Sequence, residues 1–169
     1  LWFVSDTHFG HANILKFVTY DGDKVRPEFD SVEDMDETMV ERWNSVVKPG
    51  DKVYHLGDVA FFEPAYHRCM ERLNGKKRLI LGNHDKFRMK DYLTYFEKVQ
   101  ESWQPVRNVL FTHRPVFMGG LEGADKFNVH GHVHRTRDHL SPQHLNISVE
   151  MTKYTPIHWD EICAKLGIT

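Results

Sequence analysis

The sequence predicts an α/β or α+β domain organised around a largely buried sheet. Three observations lead there. Short apolar runs first alternate with amphipathic stretches, and later apolar runs follow one another directly. Polar clusters repeatedly begin at the residue where an apolar run stops. The chain has 169 residues, 40% hydrophobic and 27% charged, as expected of one compact domain over 1–169. A domain of this length buries roughly 70% of its unfolded-chain surface and so can hold a core without staples.

Leu1-Trp2-Phe3-Val4 reads as a buried strand that stops at Ser5-Asp6. Residues 20–30 are charged, contain Gly22 and Pro27, and read as a loop. Ser31 opens a helix, with Asp34 three residues on as an approximate capping box. Val32, Met35, Met39, Val40 and Trp43 form its apolar stripe, and Pro49-Gly50 closes the segment. Lys52–Leu56 is the second strand, ending at Gly57-Asp58. A helix over about Pro64–Leu73 follows, with proline at a permitted first-turn position. Arg78–Leu81 is the third strand and ends at Gly82-Asn83-His84-Asp85. A helix is expected over Lys90–Phe96 and a strand or irregular chain over 98–107. Val109–Thr112 is a strand ending at His113, and Phe127–His130 leads into Gly131-His132-Val133-His134. Leu145–Val149 reads as a strand and His158–Leu166 as a terminal helix.

Lys plus Arg is 22 and Asp plus Glu 24, a formal charge of −2. That balance argues against a protein that coats DNA or RNA, which carries a basic excess. Cys69 and Cys163 form neither a CxxC nor a disulfide ladder, and read as small buried apolar residues in a reducing compartment. No apolar run approaches the ~20 residues of a membrane span, and the start lacks a basic region followed by an apolar one. A cytoplasmic protein is expected, with a few native residues preceding Leu1 because the chain begins without Met.

The 12 histidines are the informative feature, since histidine is the commonest metal ligand. Asp6, His8, Asp58, Asn83, His113, His132 and His134 all lie just beyond apolar strands. In open α/β sheets, ligands sit beyond the carboxyl ends of the strands, so these clusters can converge. Seven donors exceed one tetrahedral zinc but suit two metals sharing one carboxylate. Imidazole mixed with carboxylate oxygen suits Mn, Fe, Zn, Co or Ni better than Ca or Mg, and Mn2+ is the leading choice. Read as extended chain, Asp6 with His8, or His132 with His134, would point to one side and clamp one centre. Two divalent ions against the charges of Asp6 and Asp58 leave a net positive site, which calls for an anionic, oxygen-rich substrate. A metal pair roughly 3.5–4 Å apart clamps in-line displacement at phosphorus and turns bridging water into a hydroxide nucleophile.

These clusters, in this order, resemble the calcineurin-like metallophosphoesterase superfamily, whose signature is D-x-H, G-D, G-N-H-[DE], H and G-H-x-H. All five blocks are present and span residues 6–134. The flanks, Phe3–Asn13 and Trp43–Asp58, resemble small prokaryotic and phage-encoded members. The resemblance implies a four-layer sandwich of two mixed sheets flanked by helices. It implies Asp6, His8, Asp58 and His134 at one metal, and Asp58, Asn83, His113 and His132 at the other, with Asp58 bridging. It places His84 as the non-ligand catalytic histidine, which protonates or stabilises the leaving oxygen. Asp85 is read as fixing the loop, with tuning of His84 as the alternative. The protein-phosphatase branch extends the second block to G-D-x-x-D-R-G, whereas this chain reads Gly57-Asp58-Val-Ala-Phe-Phe-Glu-Pro64. The phosphate-gripping Arg and the acidic partner of the catalytic histidine are absent, which counts against a protein Ser/Thr phosphatase and leaves His84 without an assigned partner.

Substrate contacts are expected from His11, Asn13 and Arg114, against a supporting role for the first two and an outward salt bridge for the third. His55 reads as a packed core residue and His130 as structural; His67, His139, His144 and His158 read as surface or structural. Trp2, Phe3, Phe9 and Phe17 are expected in the core. The 14–30 loop and the 31–47 helix can rim the site, where the acidic run Glu28–Glu41 would favour a small substrate over a long polyanion. The expected activity is hydrolysis of a phosphomonoester or phosphodiester, of small nucleotide-like type. A non-catalytic interaction scaffold of the same fold is the alternative, and a nuclease a third, disfavoured by the lack of a basic groove.

Overall fold

The computed structural model describes residues 1–106, 108–117, 127–135 and 140–168. Nine strands form two sheets among them. The first has the order β4 (Phe96–Gln100), β3 (Lys76–Ile80), β2 (Lys52–His55), β1 (Trp2–Val4) and β9 (Ile157–His158). It is parallel except where β9 runs against β1. The second has the order β5 (Ser102–Val106), β6 (Val109–Thr112), β7 (Phe127–His130) and β8 (His144–Asn146). In it β5 pairs antiparallel with β6, and the other pairs are parallel. Both sheets are therefore mixed.

Alternation along the strands builds two apolar layers. Val4, Val53 and Leu79 face one cluster, which they share with Met35, Met39 and Trp43 of helix α1 (Val32–Val46) and with Tyr66, Cys69 and Met70 of α2 (Glu63–Met70). Their neighbours Phe3, Tyr54 and Ile80 face the other way, onto Val109, Phe111 and Val129 of the second sheet. Phe3 stacks on Phe111 at 4.4 Å between centroids. The terminal helix α4 (Trp159–Leu166) adds Ile162 to this layer.

Ser31 caps α1 as its sequence implies, its hydroxyl accepting from the Asp34 amide at 3.1 Å. Other elements depart from expectation. The helix expected over Lys90–Phe96 is a single turn, α3 (Met89–Tyr92), because Phe96 is buried and opens β4, pairing with Lys77. The described part of the stretch, 98–106, supplies parts of two strands rather than one. The strand expected over Leu145–Val149 ends at Asn146, and Ser148 turns its hydroxyl to Asp6 instead. A 3-10 helix, Ala12–Lys16, follows the first polar cluster. Cys69 is buried, whereas Cys163 is only half-buried, and both are free thiols. Phe3 and Phe9 are in the core, but Phe17 is not: it is 48% exposed. No helix among the described residues is long and apolar enough to cross a membrane.

Phe111 fills the layer between the sheets, so Phe111→Ala is expected to cost about 3–5 kcal/mol. Loss of the α1 cap in Ser31→Ala is expected to cost about 1 kcal/mol. Urea titration followed by tryptophan fluorescence checks both values.

Candidate metal centre

The ends of β1, β2, β3, β6 and β7 lie together, and the loops that leave them interlock. Asp6 N–H donates to Gly57 O and His8 N–H to Asp58 O, both at 3.0 Å, and Gly131 N–H donates to His113 O at 2.9 Å. Space here is tight enough to require glycine at two positions. A Cβ on Gly131 would strike Ser5 Oγ and the Asp6 carboxylate, and one on Gly82 would strike the backbone and carboxylate of Asp58.

Asp6, His8, Asp58, His132 and His134 all have left-handed backbone, with φ of 60°, 50°, 55°, 70° and 49°. They are five of the eight non-glycine residues with positive φ among those described. Such geometry costs about 1–3 kcal/mol per residue and persists only where its surroundings enforce it. It overturns the extended-chain reading for His132 and His134, whereas Asp6 and His8 do share one group. The turns instead send His132 and His134 to different groups, one with Asp58 and His113, the other with Asp6 and His8. Within each group the facing atoms lie within 4.8 Å of one another.

The hydrogen bonds show what these atoms face. Asp6 Oδ2 accepts from His132 N–H at 2.9 Å and Ser148 Oγ–H at 3.0 Å. Asp6 Oδ1 and His8 Nε2 are buried without a hydrogen-bond partner. Asp58 Oδ1 accepts from the His84 amide at 2.8 Å. Asp58 Oδ2 lies 3.5 Å from His8 Nε2 and 3.4 Å from His113 Nε2, at the junction of the two groups. Two ligands each about 2.1 Å from a shared cation are themselves about 3.0–3.4 Å apart, so these separations leave room for one on either side.

The protonation pattern agrees. His113 Nδ1–H donates to Leu56 O at 2.8 Å, which turns Nε2 toward Asp58 and toward Asn83 Oδ1 at 2.9 Å. His134 Nδ1–H donates to Glu150 Oε1 at 3.0 Å, so its Nε2 is the free nitrogen. Burial, with the nearby Arg26 charge, holds His8 well below the usual histidine range, and burial takes His132 to about 4. Burial lowers His113 too, but the Asp58 hydrogen bond and the Asp6 and Asp58 charges outweigh it and raise it. His134 is raised the same way, by Glu150.

The sequence reading missed the clasp behind this arrangement. Arg26, expected on a solvated loop, is fully buried. It donates from Nε to Glu150 Oε1 at 2.7 Å, from Nη2 to Asp6 O at 2.6 Å and from Nη1 to Thr7 O at 3.0 Å. It thus ties the Asp6–His8 turn to the carboxylate that orients His134, and such partners fix tautomer and ring direction. Glu150 follows the apolar run at Leu145–Val149 as Asp6 follows Leu1–Val4, a positional signal that was available. Arg26 carried none. Asp36, inside the α1 stripe, was also missed; it is buried, accepts from the Gly10 amide at 3.1 Å, and pairs with Arg68 at 2.6 Å.

His84 is exposed, with its ring 5.6 Å from that of His8 and 6.0 Å from Phe61. No side chain among the described residues hydrogen-bonds its ring. Asp85 is not its partner: its carboxylate accepts from the amides of Asp58, Val59 and Gly82, at 2.8, 3.0 and 2.7 Å, and fixes the loop as expected. His11 is buried, stacked on Phe61 at 4.1 Å. Asn13 lies exposed on the 3-10 helix. Arg114 is exposed, and its charge acts on His132.

His55 is buried outside both groups. Its Nε2–H donates to Thr7 Oγ1 at 2.9 Å, and its Nδ1 accepts from Gly57 N–H at 3.1 Å. His130 is likewise buried outside them, donating to Gly131 O at 2.9 Å. His67, His144 and His158 are tied to Tyr95, Ser141 and the N-terminal amine respectively. His139 lies outside the described residues.

A family model described as calcineurin-like phosphoesterase matches residues 1–164. The chain belongs to that family. An uncharacterized protein of Methanocaldococcus jannaschii is 33% identical over 96% of this chain and 88% of its own length. The Gene 66 protein of Mycobacterium phage L5 is 38% identical over 88 residues, half of this chain and 39% of that protein. Among solved structures, a protein of unknown function from Aquifex aeolicus superposes with a TM-score of 0.72 at 27% identity, covering 96% of this chain and 97% of the other. A Pseudomonas putida nuclease shares the fold at 21% identity with a TM-score of 0.53, over 78% of this chain and 60% of its own. The family and the paired groups together support a metal-dependent phosphoesterase with a dinuclear divalent centre.

Glu150 provides two expected outcomes. Glu150→Gln leaves the Arg26 charge buried and unpaired, at an expected cost of about 3–5 kcal/mol near neutral pH. Burial raises the Glu150 carboxyl, but the Arg26 charge and the His134 hydrogen bond outweigh it and hold it at about 2. Because the folded value lies below the unfolded one of about 4.3, its stabilisation is present above that value and fades as pH falls toward 2. Urea midpoints of metal-free protein between pH 7 and pH 3 are expected to converge for the wild type and Glu150→Gln.

Proposed function

We propose that residues 1–169 form one metallophosphoesterase domain that hydrolyses a phosphomonoester or phosphodiester bond in a small, nucleotide-like substrate. The observation that carries this is Asp58 Oδ2, set 3.5 Å from His8 Nε2 and 3.4 Å from His113 Nε2 at the junction of the two groups. Asp6, His8, Asp58 and His134 would hold one divalent ion, and Asp58, Asn83, His113 and His132 the other. The mixed imidazole and carboxylate set suits Mn2+, Fe, Zn, Ni and Co alike, and Mn2+ is the ion proposed. Such a pair, when bound, polarises the phosphoryl oxygens and lowers the pKa of the attacking water.

The residues supply the rest. Glu150 and Leu56 O hold the His134 and His113 rings with Nε2 inward. His84 is tethered to Asp58 through its amide, and its exposed ring lies 5.6 Å from that of His8, which supports a role at the leaving oxygen. It acts there as proton donor or hydrogen-bond donor. His11, Asn13 and Arg114 complete the substrate face. Both ligand groups and His84 are retained together, which favours an enzyme over a scaffold of the same fold. Ion pairs on the acidic segment, Asp36–Arg68 and Glu37–Arg72, offset part of its charge without turning it into a basic groove for long strands.

Purified protein is expected to hydrolyse aryl phosphate or bis-aryl phosphate with Mn2+ and to lose turnover on chelation. His84→Ala should lower kcat by about 10²–10⁴ while binding the same amount of manganese. Unchanged turnover by that variant removes His84 from the mechanism. Calorimetry should also register proton release on Mn2+ binding, with affinity falling as pH drops below the raised His113 and His134 values, because metal and proton compete for the same nitrogens.

A further inference from the structure

Beside the metal centre the surface is aromatic. Phe17, Val18, Tyr20, Phe61 and Phe62 are five of the ten large apolar side chains left exposed among the described residues. They are not scattered. Phe61 stacks on His11 at 4.1 Å and 10°, Phe17 meets the same imidazole edge-on at 5.6 Å, and Phe61 lies 6.0 Å from the His84 ring. Beyond Phe17 opens a cleft of about 420 Å³, with Phe17, Val18, Tyr20 and Val25 facing His132 and His134. Those two histidines belong one to each ligand group, so the cleft adjoins both groups.

The charges around it narrow the occupant. Arg135, at the cleft, is already paired with Glu28 at 2.8 Å. No cation stands at positions 61 and 62. Among the described residues that line the cleft, Arg135 is the only lysine or arginine. A flat uncharged ring would find apolar side chains and aromatic faces, which is how pockets for small ligands are built.

We propose that this cleft is the subsite for a flat aromatic group of the phosphate ester, a nucleobase in the physiological substrate. The proposal rests on the phosphoesterase reading of the adjoining centre. Phe17 and Tyr20 supply the ring contacts, and the metal groups take the phosphate.

Isothermal titration of Mn2+-loaded protein, in the His84→Ala background to suppress turnover, compares AMP with ribose 5-phosphate and phenyl phosphate with methyl phosphate. AMP is expected to bind about tenfold more tightly than ribose 5-phosphate, the scale of one base stacked on aromatic rings. Adding Phe17→Ala and Tyr20→Ala, both at exposed positions, should bring that ratio to within twofold at the same manganese stoichiometry. Equal binding of AMP and ribose 5-phosphate, or a ratio that survives both substitutions, overturns the subsite. A preference for phenyl over methyl phosphate without one for AMP overturns the nucleobase assignment. Hydrolysis by the wild type is scored separately. Ester cleavage without an AMP preference tells against this subsite alone, and an AMP preference without cleavage tells against the catalytic reading alone.

Discussion

Carboxylate oxygens and imidazole nitrogens crowded together out of water are the constraint on which this molecule turns. Asp6 Oδ1 and His8 Nε2 are buried and unpartnered, and Asp58 Oδ2 faces two imidazole nitrogens at once. Buried acceptors held this way are costly unless a cation satisfies them. The surrounding structure is arranged to prevent their escape. Asp6 cannot swing away because its other oxygen is bound by His132 and Ser148, and Asp58 is held by the His84 amide. Strained left-handed backbone at five of these residues is the local expression of that confinement.

The sandwich makes the confinement affordable. Apolar layers on both faces of the first sheet anchor β1, β2 and β3, so the polar turns leave from fixed points. The second sheet brings His113 and the 131–134 turn to the same edge through β6 and β7. Arg26 and Glu150 then join the Asp6–His8 turn to His134, a link between residues 124 apart in the chain. Removing either partner would strand a buried charge, so the clasp acts as a unit.

Much of the site was legible because its donors follow apolar runs at short, ordered spacings. The apolar stripe of α1 and its Ser31 cap were readable for the same reason: local periodicity and capping chemistry lie within a few residues. The less legible parts depend on partners distant in sequence. Phe96 looked helical until β3 offered it a strand partner. Phe17 looked like core until the fold left it at the rim. Arg26 sat among charged loop residues with nothing to mark its burial.

The amino-acid order alone determined the donor set, the apolar strands that present it, and membership of a phosphoesterase family. The resemblance already implied which donors share a metal, and only the tertiary structure decided the turns and supporting partners that bring them there. Spacing along an extended chain would have put His132 beside His134, yet left-handed turns part them, and a carboxylate sixteen residues past His134 orients its ring. Such choices are made by the packing of segments distant in sequence, where burial and hydrogen-bond satisfaction outweigh local preference.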